Sequence, residues 1–172
     1  MSAMCQADGL SRNEIRLIAK RLRKIFNIKG YCFPIVKFLD VVLPTIDEEF
    51  SLSIVEPDEI TPGHYAITYP DTHEMVVRSD VYEKAINGDG RSRFTLAHEL
   101  FHYLFHTANH IRFARANEEI PFYINPEWQA NTFAAELLVP MDLVKNMSAN
   151  DIVKNCKVSW QCAKIQVENF KK

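Results

Sequence analysis

The chain has 172 residues, of which 47% are hydrophobic and 24% charged, and its formal net charge is -2 at pH 7. This balance excludes a disordered or fibrous protein, and the small net charge gives no global attraction to nucleic acid or anionic lipid. No run of about 18 uncharged apolar residues occurs, and the first residues lack the apolar stretch of a secretory signal. We therefore expect a single soluble, cytoplasmic domain over residues 1–172, with no membrane partner and no direct nucleic-acid partner.

The first half of the chain carries both helix and strand signals. Ser11 and Glu14 form a capping box for an amphipathic helix that ends before Gly30, and the charged face of this helix is expected to be solvated. A second short helix is predicted over residues 33–42 and should stop at Pro44. Three short segments alternate as strands do: 50–55, 65–69 and 74–78. They predict a small, mostly antiparallel three-stranded sheet.

The second half of the chain is predicted to be helical. Ser79 or Asp80 can cap a helix through Ala85, and a turn rich in glycine and asparagine follows. The later predicted helices span 91–106, which is apolar almost all round, 126–138, 141–147, 150–155 and 159–170. The fold class that follows is α+β, mostly helical, with the small sheet packed by the long apolar helix.

That long helix contains His98-Glu99-Leu100-Phe101-His102, the HExxH pattern. Two histidines four residues apart lie on one helical face, so their imidazoles can share one tetrahedral ion. Glu99 lies beside that ion without binding it and can take a proton from water. Imidazoles and a carboxylate buried without partners are costly, so either a metal or hydrogen bonds within the core must satisfy them.

A catalytic zinc needs a third protein ligand and an open position for water. His106 continues the same face, but about 12 Å of helical rise separates it from His98, so one ion cannot bind both on a straight helix. Glu127 on the next helix is preferred, and Asn131 can accept a hydrogen bond from the outer nitrogen of His98. Glu136 is the rival, about 180° round the helix from Glu127. Two loop carboxylates, expected to face solvent, complete the candidates: Glu118 and Glu119.

No side chain is singled out by the sequence as the donor to the oxyanion of peptide hydrolysis. A zinc ion partly neutralises that oxyanion, and a second donor usually helps to hold it. The candidates are His64, Tyr65, Tyr69, His73, Tyr103 and Tyr123. The segment 107–125 between the two metal helices either borders the cleft or is an ordinary connection.

Two linked blocks, FTLAHEL at residues 94–100 and EWQANTFAAELLVP at residues 127–140, closely resemble the ImmA/IrrE family of metallo-endopeptidases. The resemblance implies a zincin-like, specifically gluzincin-like, core with one zinc ion per chain. It aligns Glu127 with the third metal ligand of the family. Phe101 stands where relatives commonly carry glycine, so the local packing and the shape of the cleft are expected to differ.

The resemblance also implies a regulatory substrate. Members of the family typically cleave a helix-turn-helix transcriptional repressor and so derepress a mobile element or a stress response. The expected partner is therefore such a repressor, cut at a specific site by a zinc endopeptidase. Two alternatives share the same sequence features: a metal-stabilised protein that sequesters a repressor without cleavage, and a component of a toxin-antitoxin pair.

Overall fold

The computed structural model describes residues 5–107, 111–113 and 121–171. The strands are β1 Cys5–Ala7, β2 Ser51–Val55, β3 Ala66–Tyr69, β4 Glu74–Arg78 and β5 Ile111–Phe113. The α-helices are α1 Arg12–Ile25, α2 Ile35–Lys37, α3 Leu43–Ile46, α4 Ser79–Ile86, α5 Gly90–Phe105, α6 Pro126–Leu138, α7 Met141–Val144, α8 Ala149–Cys156 and α9 Trp160–Asn169. The fold class is α+β and mostly helical, as predicted. Within these residues no helix is long and apolar enough to cross a membrane.

Helix α1 begins at the predicted capping box. The Glu14 carboxylate accepts from the Ser11 backbone N–H at 2.8 Å, and the Ser11 hydroxyl accepts from the Glu14 N–H at 3.3 Å. The charged face of α1 is not uniformly solvated, which corrects the prediction. Arg23 is buried, and its guanidinium donates to the carbonyl oxygens of Leu137 at 2.9 Å and of Gly30. Because a guanidinium carries five N–H donors, backbone carbonyls alone can satisfy a buried arginine.

The second predicted helix does not stop at Pro44. A π-helical turn, Phe38–Val42, joins α2 to α3, and the helical path continues to Ile46. Pro44 lies in the first turn of α3, where a missing backbone N–H is tolerated. The proline therefore marks a change of helical pitch, and the predicted end of the helix was wrong.

The central sheet has the order β2-β4-β3 and is mixed. β3 and β4 form an antiparallel hairpin through a 3-10 turn, Pro70–Thr72, while β2 pairs in parallel with β4. His73 closes the hairpin with a φ of 55°, in the left-handed region. The mostly antiparallel sheet expected from the sequence was wrong in this detail, because alternation reports which face is buried and not the direction of the partner strand. A separate antiparallel pair, β1 with β5, was not predicted.

The core lies around α5 and α6, which pack against each other. The fully buried side chains at this interface include Leu96, Leu100, Phe101, Phe133 and Leu137. Phe101 stacks on Phe105 and packs against Phe133, with ring centroids 4.7 and 4.8 Å apart. Its ring is therefore fully buried in the core.

The start of α5 is held by its neighbours. Asp89 caps the helix by accepting from the backbone N–H of Ser92 at 2.8 Å. Gly90, the first residue of α5, lies against the backbone of Val158 and Ser159 so closely that a Cβ there would approach within less than 3.0 Å. Only glycine fits this approach without a backbone shift. The contact fixes where α5 begins relative to the start of α9.

Candidate metal centre

Ligand groups of three residues from α5 and α6 converge at one point. His98 Nε2 and His102 Nε2 are 2.9 Å apart; Glu127 Oε2 lies 3.2 Å from His98 Nε2, and Glu127 Oε1 lies 3.3 Å from His102 Nε2. A tetrahedral zinc with bonds of about 2.0–2.1 Å has neighbouring ligand atoms about 3.3 Å apart. The spacing of the three groups fits one such ion.

The position of Glu127 is fixed by the way α6 starts. Asn125 caps the helix, and its side-chain oxygen accepts from the backbone N–H groups of Glu127 at 2.9 Å and Trp128 at 3.1 Å. Pro126 occupies the first turn, where its preset φ favours the helix. Glu127 thus projects from an ordered first turn towards α5.

The outer nitrogen of His98 is held by α6 as well. His98 Nδ1 lies 3.1 Å from Asn131 Oδ1. An amide oxygen only accepts, so Nδ1 carries the proton and the lone pair of Nε2 faces His102 and Glu127. This is the contact between His98 and Asn131 that the sequence analysis anticipated.

The outer nitrogen of His102 is held by a longer chain of hydrogen bonds. Gln129 Nε2 donates to the carbonyl oxygens of Asp8 at 2.7 Å and Tyr123 at 2.8 Å, which turns Gln129 Oε1 towards His106. His106 Nε2 is 3.0 Å from that oxygen and donates to it, so His106 Nδ1 can only accept. His102 Nδ1, at 2.7 Å from His106 Nδ1, must therefore donate. The lone pair of His102 Nε2 is left facing His98.

Both histidines thus direct lone pairs, and Glu127 directs a carboxylate, at the same small volume. Two ring lone pairs and a carboxylate with contacts of 2.9–3.3 Å are unfavourable unless a cation lies among them. When the inner nitrogens carry protons instead, hydrogen bonds from His102 and His98 hold the pKa of Glu127 well below its ordinary range. Burial tends to lower the pKa of His98, but Glu127 and Glu99 raise it on balance. The field that favours a proton on His98 also favours a metal ion, so these residues fit the zinc that the sequence predicts.

The centre is open to solvent on one side. The side chains of His98 and His102 are 15% and 16% exposed, whereas that of Glu127 is 68% exposed. Water and a substrate can therefore reach the point where the three ligand atoms converge. A catalytic zinc requires such an open position, whereas a structural zinc is enclosed by four protein ligands.

Glu99 lies on the same helix between the two histidines and is held by the sheet. The hydroxyl of Thr68, on β3, donates to Glu99 Oε2 at 2.7 Å. Burial raises the pKa of Glu99, opposed by the Thr68 hydrogen bond and by the two histidines. A carboxyl group with a raised pKa is a better proton acceptor near neutral pH than an ordinary one.

The rival ligands lie elsewhere. His106 contacts the outer nitrogen of His102, consistent with the helical rise that ruled it out as a ligand. Glu136 has a side chain with no exposed surface and is paired with Arg16 at 2.9 Å and Arg12 at 3.2 Å, both from α1. It links α6 to α1. The remaining rivals lie outside the described residues: Glu118 and Glu119.

A second group of ligand-type atoms lies near the hairpin. His73 Nδ1 is 2.8 Å from Asp47 Oδ2, and His73 Nε2 is 3.5 Å from Glu49 Oε2. The Tyr103 hydroxyl also donates to Asp47 Oδ2. Two of the six oxyanion candidates, His73 and Tyr103, are therefore engaged with Asp47. The other tyrosine candidates have large exposed fractions: Tyr65, Tyr69 and Tyr123.

Three contributors to the centre were not predicted from the sequence: Thr68, Gln129 and the supporting contact of His106. Gln129 carries a usable signal, because a glutamine in an otherwise apolar helix must find hydrogen-bond partners once it is buried. Thr68 carries no such signal, since threonine is common in strands and its contact with Glu99 spans 31 positions of sequence.

The fold and the geometry of this centre agree with the comparison against protein families. A family model described as the IrrE N-terminal-like domain, peptidase family M78, matches residues 61–167, which contain the four residues of the centre. The chain belongs to this family, as the sequence motifs indicated. It is therefore a domain of a peptidase family.

Comparison with solved structures gives a more distant likeness. A Mycobacterium tuberculosis transcriptional regulator is similar with a TM-score of 0.59 and 13% identity, covering 88% of this chain and 45% of that one. At this identity the likeness shows the fold alone. The present chain spans less than half the length of that regulator. No curated protein sequence matches the chain.

Proposed function

We propose that the protein is a zinc-dependent endopeptidase that cuts a helix-turn-helix transcriptional repressor in the cytoplasm. The observation that carries the proposal is the convergence of His98 Nε2, His102 Nε2 and Glu127 within 3.3 Å, with the outer nitrogens of both histidines engaged by acceptors. His98, His102 and Glu127 would hold one zinc ion, and Asn131 would orient His98.

Glu99 is the proposed catalytic base. When bound, zinc would act as a Lewis acid that polarises the scissile carbonyl and favours the ionisation of water. Glu99 takes the proton of the attacking water and then delivers it to the leaving amine, the usual double duty of a general base. Thr68 fixes one carboxylate oxygen of Glu99 through the 2.7 Å hydrogen bond. The other oxygen is left for this proton.

The substrate class rests on the family and on its regulatory association. The M78 family supports a polypeptide substrate, and the similar solved structure is named as a transcriptional regulator. Cleavage of a repressor would release the genes it holds silent. For an enzyme with one specific target, the substrate gene is most simply sought beside the gene of this chain.

The direct test is cleavage of that neighbouring repressor by the purified protein loaded with zinc. We expect discrete fragments with wild type, identified by mass spectrometry, and none with Glu99→Gln under conditions where both proteins bind the repressor. If wild type and variant leave the repressor equally intact while binding it, the peptidase is excluded and sequestration becomes the function. Discrete cleavage of an unrelated partner instead would favour a toxin-antitoxin role.

A further inference from the structure

A cavity of about 870 Å³ lies between α5, α6 and α9. Its lining includes Phe94 and Thr95 of α5, Trp128 and Asn131 of α6, and Gln166 of α9. A volume in this range suits a ligand the size of a short peptide segment and exceeds that of one side chain. The cavity is not part of the ligand set described above.

One polar group in this lining lacks a partner. Gln166 has no exposed surface, and its Oε1 accepts from Asn169 Nδ2 at 3.3 Å. Its Nε2 is buried and makes no hydrogen bond with any described residue. A buried amide donor without a hydrogen-bond partner is unfavourable, so such a group in a cavity wall indicates an acceptor that arrives with a ligand.

The walls favour an apolar occupant. Phe94, Trp128, Ala135 and Ile165 supply hydrocarbon and aromatic surface. The charges of the lining are largely neutralised by one another or by neighbours. Arg12 is paired with Glu136, and Lys84 with Asp80 at 2.9 Å. A phosphate or another strongly charged ligand would find these two cations already engaged.

The cavity adjoins the candidate metal centre through Asn131. Asn131 lines the cavity and also holds the outer nitrogen of His98. Thr95 lines it one helical turn before Glu99, and Trp128 follows Glu127 directly in sequence. A polypeptide bound at the centre would therefore have this cavity beside it.

We propose that the cavity anchors the substrate beside the metal centre. It takes a short apolar segment of the polypeptide, with one large apolar side chain between Phe94 and Trp128. One carbonyl of that segment accepts from Gln166 Nε2 after this side chain, which is buried in the free protein, turns into the cavity. This inference rests on the proposed function, because it supplies that peptidase with a specificity-determining subsite.

Binding can be measured without cleavage. ¹⁵N-labelled Glu99→Gln protein loaded with zinc is titrated with N-acetyl-Ala-Phe-Ala-amide, and N-acetyl-Ala-Ala-Ala-amide is the matched control peptide. We expect the phenylalanine peptide to shift the Gln166 side-chain amide and the Trp128 indole signals, and to leave Trp160, which does not line the cavity, unchanged. Equal shifts from both peptides, or shifts confined to residues outside the cavity, would overturn the proposal.

Two variants separate filling of the cavity from general damage. Ala135→Leu places a larger side chain in the cavity, and Ala149→Leu changes another half-buried helical alanine that does not line it. We expect the first to weaken binding of the phenylalanine peptide by about tenfold or more, and the second to leave it unchanged. Gln166→Met keeps the length but removes the donor, and should weaken binding about two- to tenfold. Unchanged affinity in both Ala135→Leu and Gln166→Met, with folding checked by circular dichroism, would reject the subsite.

Cleavage of the repressor distinguishes this inference from the function beneath it. If wild type cuts and Ala135→Leu cuts with a higher KM but a similar kcat, both stand. If Ala135→Leu cuts with unchanged kcat and KM, the subsite fails and the peptidase remains. If nothing is cut but the phenylalanine peptide still binds at Gln166, the peptidase fails and the cavity remains a peptide-binding site.

Discussion

Among the described residues, two clusters of histidine and carboxylate side chains have the spacing of metal ligands. The first is His98, His102 and Glu127, and the second is Asp47, Glu49 and His73; in both, one ligand atom from each residue lies within 4.8 Å of the others. The difference lies in the protons. In the first cluster the imidazole N–H groups point outward, whereas in the second His73 and the Tyr103 hydroxyl donate inward to Asp47.

This difference teaches that proximity of ligand-type residues is a weak criterion for a metal site. Inward protons satisfy Asp47 without a cation, and these hydrogen bonds hold its pKa below the ordinary range. Inward lone pairs require a cation. The neighbours that accept outward protons, Asn131 and His106, are therefore as informative as the ligands themselves.

The largest expected effect is loss of the metal. His102→Ala removes one of three proposed ligands, so the zinc content should fall from about one ion per chain to nearly none, and cleavage should stop. Elemental analysis of the purified protein measures this. His73→Ala, in the second cluster, is the matched control and should retain the zinc. Zinc that is lost from His73→Ala and kept in His102→Ala would reverse the comparison.

The second effect separates metal binding from catalysis. Glu99→Gln keeps the size and the polar contact with Thr68 but cannot take a proton. We expect zinc to remain bound while kcat for repressor cleavage falls about 10²- to 10⁴-fold, the range for loss of a general base. Cleavage assays quenched at a series of times give kcat, and elemental analysis of the same samples gives the zinc content. Near wild-type turnover in Glu99→Gln would remove this residue from the mechanism.

The third effect tests the outward proton of His102. His106→Phe deletes the acceptor for His102 Nδ1, and zinc affinity should weaken about 10- to 100-fold, as for other outer contacts of metal-bound histidine. Competition with a chromogenic chelator measures it. Tyr103→Phe removes a hydroxyl of the same helix that contacts Asp47 and His73 of the second cluster, so its zinc affinity should match wild type. Equal losses in both variants would point to disturbance of the helix instead.

The smallest effect concerns the inward protons of the second cluster. The lowered pKa of Asp47 means that the folded state prefers the ionised carboxylate, so its stabilising contribution is present above the ordinary carboxyl pKa of about 4 and is lost as the pH falls through the lowered value. Chemical denaturation of wild type and Asp47→Asn should show a small stability difference at neutral pH that narrows below about pH 4. A difference that widens on acidification would contradict this sign.

Much of the fold was predictable because it depends on local signals. The capping box at Ser11, the helix cap at Ser159 and the bounds of α6 follow from neighbouring residues, and the structure has them as expected. The parallel pairing of β2 with β4 and the short pair of β1 with β5 depend on distant segments. No local pattern encodes them.

The candidate site divides in the same way. The roles of His98, Glu99 and His102 were predicted from their spacing within one helix, and Glu127 was predicted from the linked block on α6. Which ring nitrogen of His102 carries the proton was not predictable from the sequence. It depends on the hydrogen bonds of Gln129 to the carbonyls of Asp8 and Tyr123, which lie in two other segments. The buried pairing of Glu136 with Arg12 and Arg16 was hidden for the same reason, since it joins the first helix to the sixth.

The hydrogen bonds that run from His102 through His106 to Gln129 have a donor-to-acceptor direction, and the contacts of Gln129 determine it. Gln129 can present either its oxygen or its nitrogen to His106, and the two carbonyls of Asp8 and Tyr123 choose the oxygen. If the segment before α1 moved away, the Gln129 amide would be able to rotate and to donate to His106 Nε2. His106 Nδ1 would then donate to His102 Nδ1, and the N–H of His102 would be on its inner nitrogen, Nε2. The backbone carbonyl of Asp8 thus helps to determine which ring nitrogen of His102 carries the proton, although it makes no contact with His102 itself.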